Sequence, residues 1–329
     1  MSKTKNIVVG LAARNEEENI IDSLSSIKKA ILYTNLPSVK LAICLNGCVD
    51  RTPELAQRFQ KENPDIDCVI INSEEGLVSA QRKIVQQFPA DVYVFSDADS
   101  VIDKKSISLL LAELDNNPQT IVAYAKTTPL LDKTNKSIFH KIALLYDSQE
   151  LLTKRYYFHG RLFATKEWFF PDSATILKRA MASKYTRELL RYCKKDILLF
   201  ADDIFMSSYF IHQYGLQSIK QVEAVRCYSW SVGSLIDWFN AYRRRNIEME
   251  KMYRWFPEYN YLKPYLNRKT DRQKWLLTSW KNKILWLIYL IMKTFFYLYL
   301  KYELFLTKLG LYEPKSQWQV TSTTKKSFS

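Results

Sequence analysis

Short apolar runs at residues 7–13, 39–45, 68–72 and 91–95 are separated by amphipathic stretches, and this alternation leaves few architectures open to the first hundred residues. Apolar runs of that length read as buried strands, and helix-period segments between them predict parallel strands joined by crossover helices in an α/β sheet. Ile20, Ile21, Leu24, Ile27 and Ile31 recur at helical spacing and predict a helix to about residue 33, with Asn15 and Glu18 as a capping box at its start. Further helices are predicted over 52–61, where Pro53 falls in the first turn, and over 78–87. In an open sheet of this kind the ligand lies beyond the carboxyl ends of the strands. The polar clusters 13–17, 46–52 and 96–99 all fall there.

Past residue 100 the pattern predicts a strand over 121–126, a helix over 137–152 and a strand-like piece over 161–164. Helical patterning dominates from 234 to 311. The expected division is a sheet domain over 1–233, a helical, aromatic-rich membrane-associating region over 234–318, and a disordered tail over 319–329.

The net charge of +14 is concentrated at one end: residues 221–329 carry 19 Lys and Arg against 8 Asp and Glu. A basic, aromatic-rich segment suits an anionic surface. No zinc-finger, Gly-rich RNA-binding or basic-zipper pattern accompanies it, so a lipid surface is expected and nucleic acid is not. Arg14, Asn15 and Glu16 arrive before an apolar run of signal-peptide length can develop, which predicts a cytoplasmic location. Cys44, Cys48, Cys68, Cys193 and Cys227 show no zinc-site spacing and read as structural thiols.

Asp-x-Asp occurs twice, and context separates the two. Asp65 and Asp67 precede a strand, whereas Asp97 and Asp99 follow one, where a cation and a diphosphate can be held. Hard divalent ions take one or two carboxylates together with substrate phosphate oxygens, so Mg2+ or Mn2+ is the expected cofactor. A turn or helix cap is the other reading of this pair.

Four pieces in order carry a wider likeness: Ala13-Arg14-Asn15-Glu16-Glu17, Asn46-Gly47-Cys48-Val49-Asp50-Arg51-Thr52, the segment 76–83, and Asp97-Ala98-Asp99. Across about residues 5–250 the chain resembles the family 2 glycosyltransferases of the GT-A fold. The resemblance implies that Ala13, Asn15 and Glu16 flank the nucleobase and ribose, that Asn46 and Asp50 line the base pocket, and that Arg82 approaches the donor phosphates. It further implies that Asp97 holds ribose or metal and that Asp99 ligates the metal. The family often has aspartate at the position of Asn46; a neutral amide still hydrogen-bonds a base edge.

The family's acid–base group comes from an acidic pair opening a helix, here Asp202 and Asp203 after an apolar stretch. Neighbouring carboxylates raise each other's pKa, which suits a general base, and Asp203 is the expected one, with a capping role as the alternative. His159, Gly160 and Arg161 fall where family members often have a glycine-containing acceptor-side segment, although an ordinary loop fits equally. Arg243-Arg244-Arg245 falls where processive members carry Gln-x-x-Arg-Trp, absent here in strict form; Arg243 is the expected diphosphate contact. His212 is expected at the surface.

Residues 284–300 are apolar apart from Lys293 and Thr294 and are flanked by Lys281, Lys283, Lys301 and Lys308. A central lysine costs about 2.5–3.5 kcal/mol on insertion scales, so a helix lying in the membrane plane is expected rather than a span, with packing on the domain as the alternative. Taken together, the expectation is an inverting glycosyltransferase using a nucleoside-diphosphate sugar, with a UDP-sugar expected, and a glycan or lipid-linked acceptor in cell-envelope assembly. A nucleotidyltransferase on a similar sheet, or a non-enzymatic membrane adaptor, remains as an alternative.

Overall fold

The computed structural model describes residues 5–130, 137–150, 157–182, 201–266, 275–276, 278–312 and 328. Cys193, the end of the predicted 137–152 helix and, apart from Phe328, the 319–329 tail lie outside the described residues. Strands β1 (Ile7–Ala13), β2 (Val39–Asn46), β3 (Asp67–Ser73) and β4 (Val92–Asp97) are parallel neighbours in the order β3-β2-β1-β4. They alternate with α1 (Ile20–Thr34), α2 (Thr52–Glu62) and α3 (Leu77–Gln87).

β1 is buried on both faces, and its alternation divides the core in two. Val9, Leu11 and Ala13 pack with Ile20, Leu24 and Ile27 of α1, while Val8 points the other way, toward Ile84 of α3 and Phe95 of β4. Gly10 permits this second layer: a Cβ there would meet the Phe95 ring at 2.7 Å. Burial of this kind makes truncation of Leu11 or Leu24 cost about 2–5 kcal/mol.

The sheet is mixed, not purely parallel. β5 (Val101–Ile102) leads into α4 (Ser106–Asn116), β6 (Val122–Leu130), α5 (Ile138–Glu150), β7 (Leu162–Thr165) and α6 (Ser173–Ala182). After α7 (Asp202–Tyr214) comes β8 (Ile219–Trp230), and the order continues β4-β7-β6-β8-β5. β7 runs antiparallel between β4 and β6, and that reversal sets its N-terminal end beside the C-terminal end of β4.

The C-terminal helices α8 (Leu235–Trp255) and α9 (Lys283–Lys308) share the core of the sheet domain. Ile247, Met252 and Trp255 of α8 and Leu300 of α9 belong to the same buried cluster as Phe95 and Phe205. A smaller aromatic cluster of Ile142, Trp286 and Tyr289, with Tyr146 and Trp238 against it, fastens α9 to α5 and α8. Arg243 and Glu303, both buried, pair at 3.6 Å across α8 and α9.

Two local expectations are corrected. Asn15 does not cap α1: its backbone is left-handed at φ 55°, its Oδ1 accepts the Val49 N–H at 2.8 Å, and the helix begins five residues later at Ile20. Lys293 does not interrupt the outward face of α9, because its side chain lines the internal cavity described below.

Candidate active site

The segments that follow β1, β2 and β3 are tied together by hydrogen bonds. Asp50 spends both oxygens, accepting Thr52 N–H at 3.0 Å and Glu17 N–H at 3.1 Å, and Thr52 Oγ1 accepts Glu16 N–H at 2.7 Å. Asn46 Oδ1 accepts the N–H of Gly76 at 2.7 Å. Gly76, at φ 128°, occupies backbone space that side chains rarely adopt and caps α3. These bonds hold the rim of a cavity of 680 Å³, a size suited to a nucleotide-sugar-sized ligand.

Glu16, Asn46, Arg82, Asp97, Asp99, His159, Gly160, Arg161, Asp202 and Asp203 line this cavity. Ala13, Asn15 and Asp50 stand behind its wall; Ala13 is fully buried and the other two brace the loops. Arg243 is also outside it, turned onto Glu303, while Arg244 and Arg245 line the cavity in its place. His212 is exposed on α7 and hydrogen-bonds the Tyr261 hydroxyl at 3.0 Å. A second, more open cleft of 630 Å³ at Gln57, Lys61 and Asn72 contains none of the motif carboxylates.

Asp97 is the last residue of β4 and Asp99 follows in the turn. The Asp97 N–H donates to the Arg161 carbonyl at 2.9 Å, so strand pairing fixes Arg161 beside the acidic turn. Burial, then the charge of Asp99, push the Asp97 carboxyl well above the usual carboxylate range, and Arg161 offsets part of this. Among the described residues no cluster of three or more acidic, imidazole or thiolate ligands forms. The two carboxylates therefore suit a hard divalent ion that completes its shell with donor phosphate oxygens and water.

Across the cavity, α7 starts after Ala201, which provides no side-chain cap. Neither member of the acidic pair occupies the capping position. Asp202, 6% exposed, accepts from Gln81 Nε2 at 3.1 Å, and Gln81 Oε1 accepts from Trp168 Nε1 at 3.0 Å. Burial and the adjacent Asp203 push the Asp202 carboxyl up to about 7. Asp203 accepts the Ile204 N–H at 2.8 Å and the Gly160 N–H at 3.4 Å. A Cβ on Gly160 would meet Asp203 at an ordinary 3.7 Å, so the glycine leaves room beside the pair without being sterically required. Arg82 also lines the cavity and is steadied by the Pro171 carbonyl at 2.8 Å.

The sequence reading missed Gln81 and Glu248. Both are polar residues on the buried faces of helices, beside Ala80 and Ile84 in one case and Ile247 and Met252 in the other. That break in an apolar stripe was the available signal. Glu248 is 5% exposed with Oε1 unpartnered, and burial pushes its carboxyl up to about 8, so it is protonated at neutral pH.

A twisted α/β sheet with an acidic turn closing β4 and a helix-opening acidic pair across one cavity defines a GT-A glycosyltransferase. The sequence profile of glycosyl transferase family 2 matches residues 8–186, and the chain belongs to that family. Poly-beta-1,6-N-acetyl-D-glucosamine synthase of Staphylococcus epidermidis is 29% identical over 109 residues, 33% of this chain; the match spans only 25% of that relative's length. A mannosyltransferase from Pyrobaculum calidifontis in complex with GDP-Man and Mn2+ superposes with a TM-score of 0.51 at 17% identity, covering 80% of this chain and 69% of that one. Glucosyl-3-phosphoglycerate synthase from Mycobacterium tuberculosis, in complex with Mn2+, UDP and glucosyl-3-phosphoglycerate, gives 0.46 at 16% identity, over 75% of this chain and 80% of that one.

Proposed function

We propose that this enzyme is an inverting, metal-dependent transferase that moves a sugar from a nucleoside-diphosphate sugar, a UDP-sugar first among them, to a hydroxyl of a glycan or lipid-linked acceptor. The observation that carries the reading is the gathering of Asp97, Asp99, Arg82 and the Asp202–Asp203 pair around one cavity at the strand ends. In the transfer the acceptor oxygen attacks the anomeric carbon, the bond from that carbon to the diphosphate oxygen breaks, and the acceptor proton passes to Asp203. Displacement from one side inverts the centre. Asp97 and Asp99 would hold Mg2+ or Mn2+, which would supply positive charge to offset that developing on the departing diphosphate. Arg82, which lines the same cavity, adds a fixed positive charge where it is worth most, in the transition state.

The test is a panel of nucleotide sugars with Mn2+. One donor is expected to raise the melting temperature, and that donor is expected to yield nucleoside diphosphate on turnover. Release of pyrophosphate would make the enzyme a nucleotidyltransferase; no stabilisation and no turnover with any donor would leave the adaptor reading.

We take residues 1–233 as the catalytic unit and 234–318 as its attachment to the cytoplasmic face of a membrane, in the service of cell-envelope polysaccharide or glycolipid assembly. The stretch Trp280–Lys308 is long and apolar enough to cross a bilayer by length and composition, with a mean hydropathy of 1.5 in its most apolar window. Yet one face of it is docked on the domain through Trp286, Tyr289, Phe296 and Leu300. On the other face Ile284, Ile291, Leu298 and Phe305 recur every seven residues at 73, 64, 59 and 55% exposed. A helix docked along one side and bare along the other suits the membrane plane. Flotation with vesicles is expected for the intact chain and not for one cut near Lys274, with about 1 kcal/mol per membrane-proximal lysine making attachment weaken in salt. An intact chain that never floats would make α9 a packing helix, and protease protection of its two ends from opposite sides would make it a span.

A further inference from the structure

The cavity has two chemically different halves. The strand-end half holds Asp97, Asp99 and Arg82. The other is walled by α5, α8 and α9, where Tyr146, Trp238, Tyr289, Met292 and Phe296 provide an aromatic and apolar surface. Three cations line that same wall: Arg244, Arg245 and Lys293. Arg245 is held by the Tyr146 hydroxyl at 3.5 Å, a neutral partner that leaves its charge uncancelled. Among the described residues of this wall the acid is Glu248, buried with an unpartnered oxygen; protonated, it donates a hydrogen bond instead of repelling an anion. Cations on an aromatic wall with a neutral acid among them recognise an anion carried on an apolar body.

α9 also supplies a way out. Met292 and Phe296 face the cavity, while Ile291 and Phe295, one residue round the helix from each, are exposed in the outward apolar stripe. We propose that the α5–α8–α9 half of the cavity is an acceptor subsite for a phosphate-bearing amphiphile, its phosphate among Arg244, Arg245 and Lys293 and its hydrocarbon chain leaving beside α9 onto the membrane-facing stripe. The proposal rests on the transferase reading of the same cavity and names the acceptor class for it. A soluble sugar phosphate shares the anion but has no use for the apolar wall, and a neutral lipid has no use for the cations.

The experiment measures binding of dodecyl phosphate to the full chain below its micelle concentration, by tryptophan fluorescence, against inorganic phosphate, glucose 1-phosphate and dodecyl maltoside. Dodecyl phosphate is expected to bind at least about tenfold more tightly than any of the other three, the difference that 1.4 kcal/mol makes. The double variant Arg245→Gln, Lys293→Gln is expected to reduce dodecyl phosphate to the level of dodecyl maltoside, and Lys293→Arg to retain the preference. Ile291→Ser, on the outer stripe, is expected to weaken both detergents alike. Equal binding of glucose 1-phosphate would overturn the proposal in favour of a soluble anion site; equal binding of dodecyl maltoside would overturn it in favour of a bare apolar surface. Mn2+-dependent donor binding is measured on the same preparation. Donor binding without a preference for dodecyl phosphate sinks the subsite alone, whereas absence of donor binding with every nucleotide sugar sinks the transferase reading and the acceptor role with it.

Discussion

Asp203→Asn is expected to lower turnover at least about a hundredfold while leaving donor affinity nearly intact, the lower end of what losing a general base costs. The two carboxylates of α7 sit in different environments. Asp203 faces the cavity and accepts two backbone N–H groups, from Ile204 and Gly160. Asp202 is buried under Gln81, and burial together with the adjacent Asp203 pushes its carboxyl up to about 7. Asp202→Asn keeps the shape of the protonated acid and an oxygen for Gln81, so its effect is expected to stay below about tenfold. Above the inflection the ionised Asp202 puts a second negative charge beside Asp203 and strengthens it as a base, so kcat/KM is expected to rise with pH there. A bound cation would shift that inflection downward. Rate measurements from pH 5 to 9 on wild type and both variants decide the matter, because Asp202→Asn is expected to remove the rising limb. A far larger loss in Asp202→Asn than in Asp203→Asn reverses the assignment; mild and equal losses mean that the pair only orders the start of α7.

The first half of the fold was legible because its signals are local. β1 through β4 and the three helices between them are written as apolar runs and helical spacing, and the structure reproduces them with ends shifted by a residue or two, apart from the late start of α1 at Ile20. β8 was not legible: Ile219–Trp230 buries alternate residues only in part, its pairing with β6 is irregular at Ala125–Lys126, and its partners lie about a hundred residues away. β7 is four residues long, and nothing local reveals that it reverses the sheet and delivers Arg161 to Asp97. The candidate site divides in the same way. Strand-end residues such as Asp97 and Asp99 are announced by the runs before them, whereas side-chain direction on a helix is decided by packing. Arg243, Arg244 and Arg245 are consecutive, and only the buried pair with Glu303 turns the first away from the cavity its neighbours line. Lys293 follows the same logic: composition marks it as an interruption of α9, and docking of Tyr289 and Phe296 turns it inward.

Asp99→Asn is expected to abolish metal-dependent donor binding in a protein that stays folded. Without a cation the turn is unfavourable, since Asp97 and Asp99 repel each other and Arg161 offsets only part of that repulsion. A carboxyl held above its unfolded pKa takes up a proton on folding, so its contribution to stability is greatest at low pH and is lost as pH rises through the raised value. Removing the Asp99 charge relieves this, and in chelator the variant is expected to melt no lower than wild type at pH 7.5. Mn2+ and donor reverse the comparison. Ligand at about 100 times its dissociation constant stabilises wild type by about 2.7 kcal/mol, and the variant is expected to gain none of it. Glu and Asp differ in reach but not in charge, so Asp99→Glu is expected to recover part of the Mn2+ response where Asn recovers nothing. The measurement is a pair of melting curves per protein, in chelator and in Mn2+ with the donor that stabilises wild type. Unchanged stabilisation of Asp99→Asn by donor and Mn2+ would remove Asp99 from the metal site, and an Asp99→Asn protein that melts well below wild type in chelator would make the acidic turn a structural element.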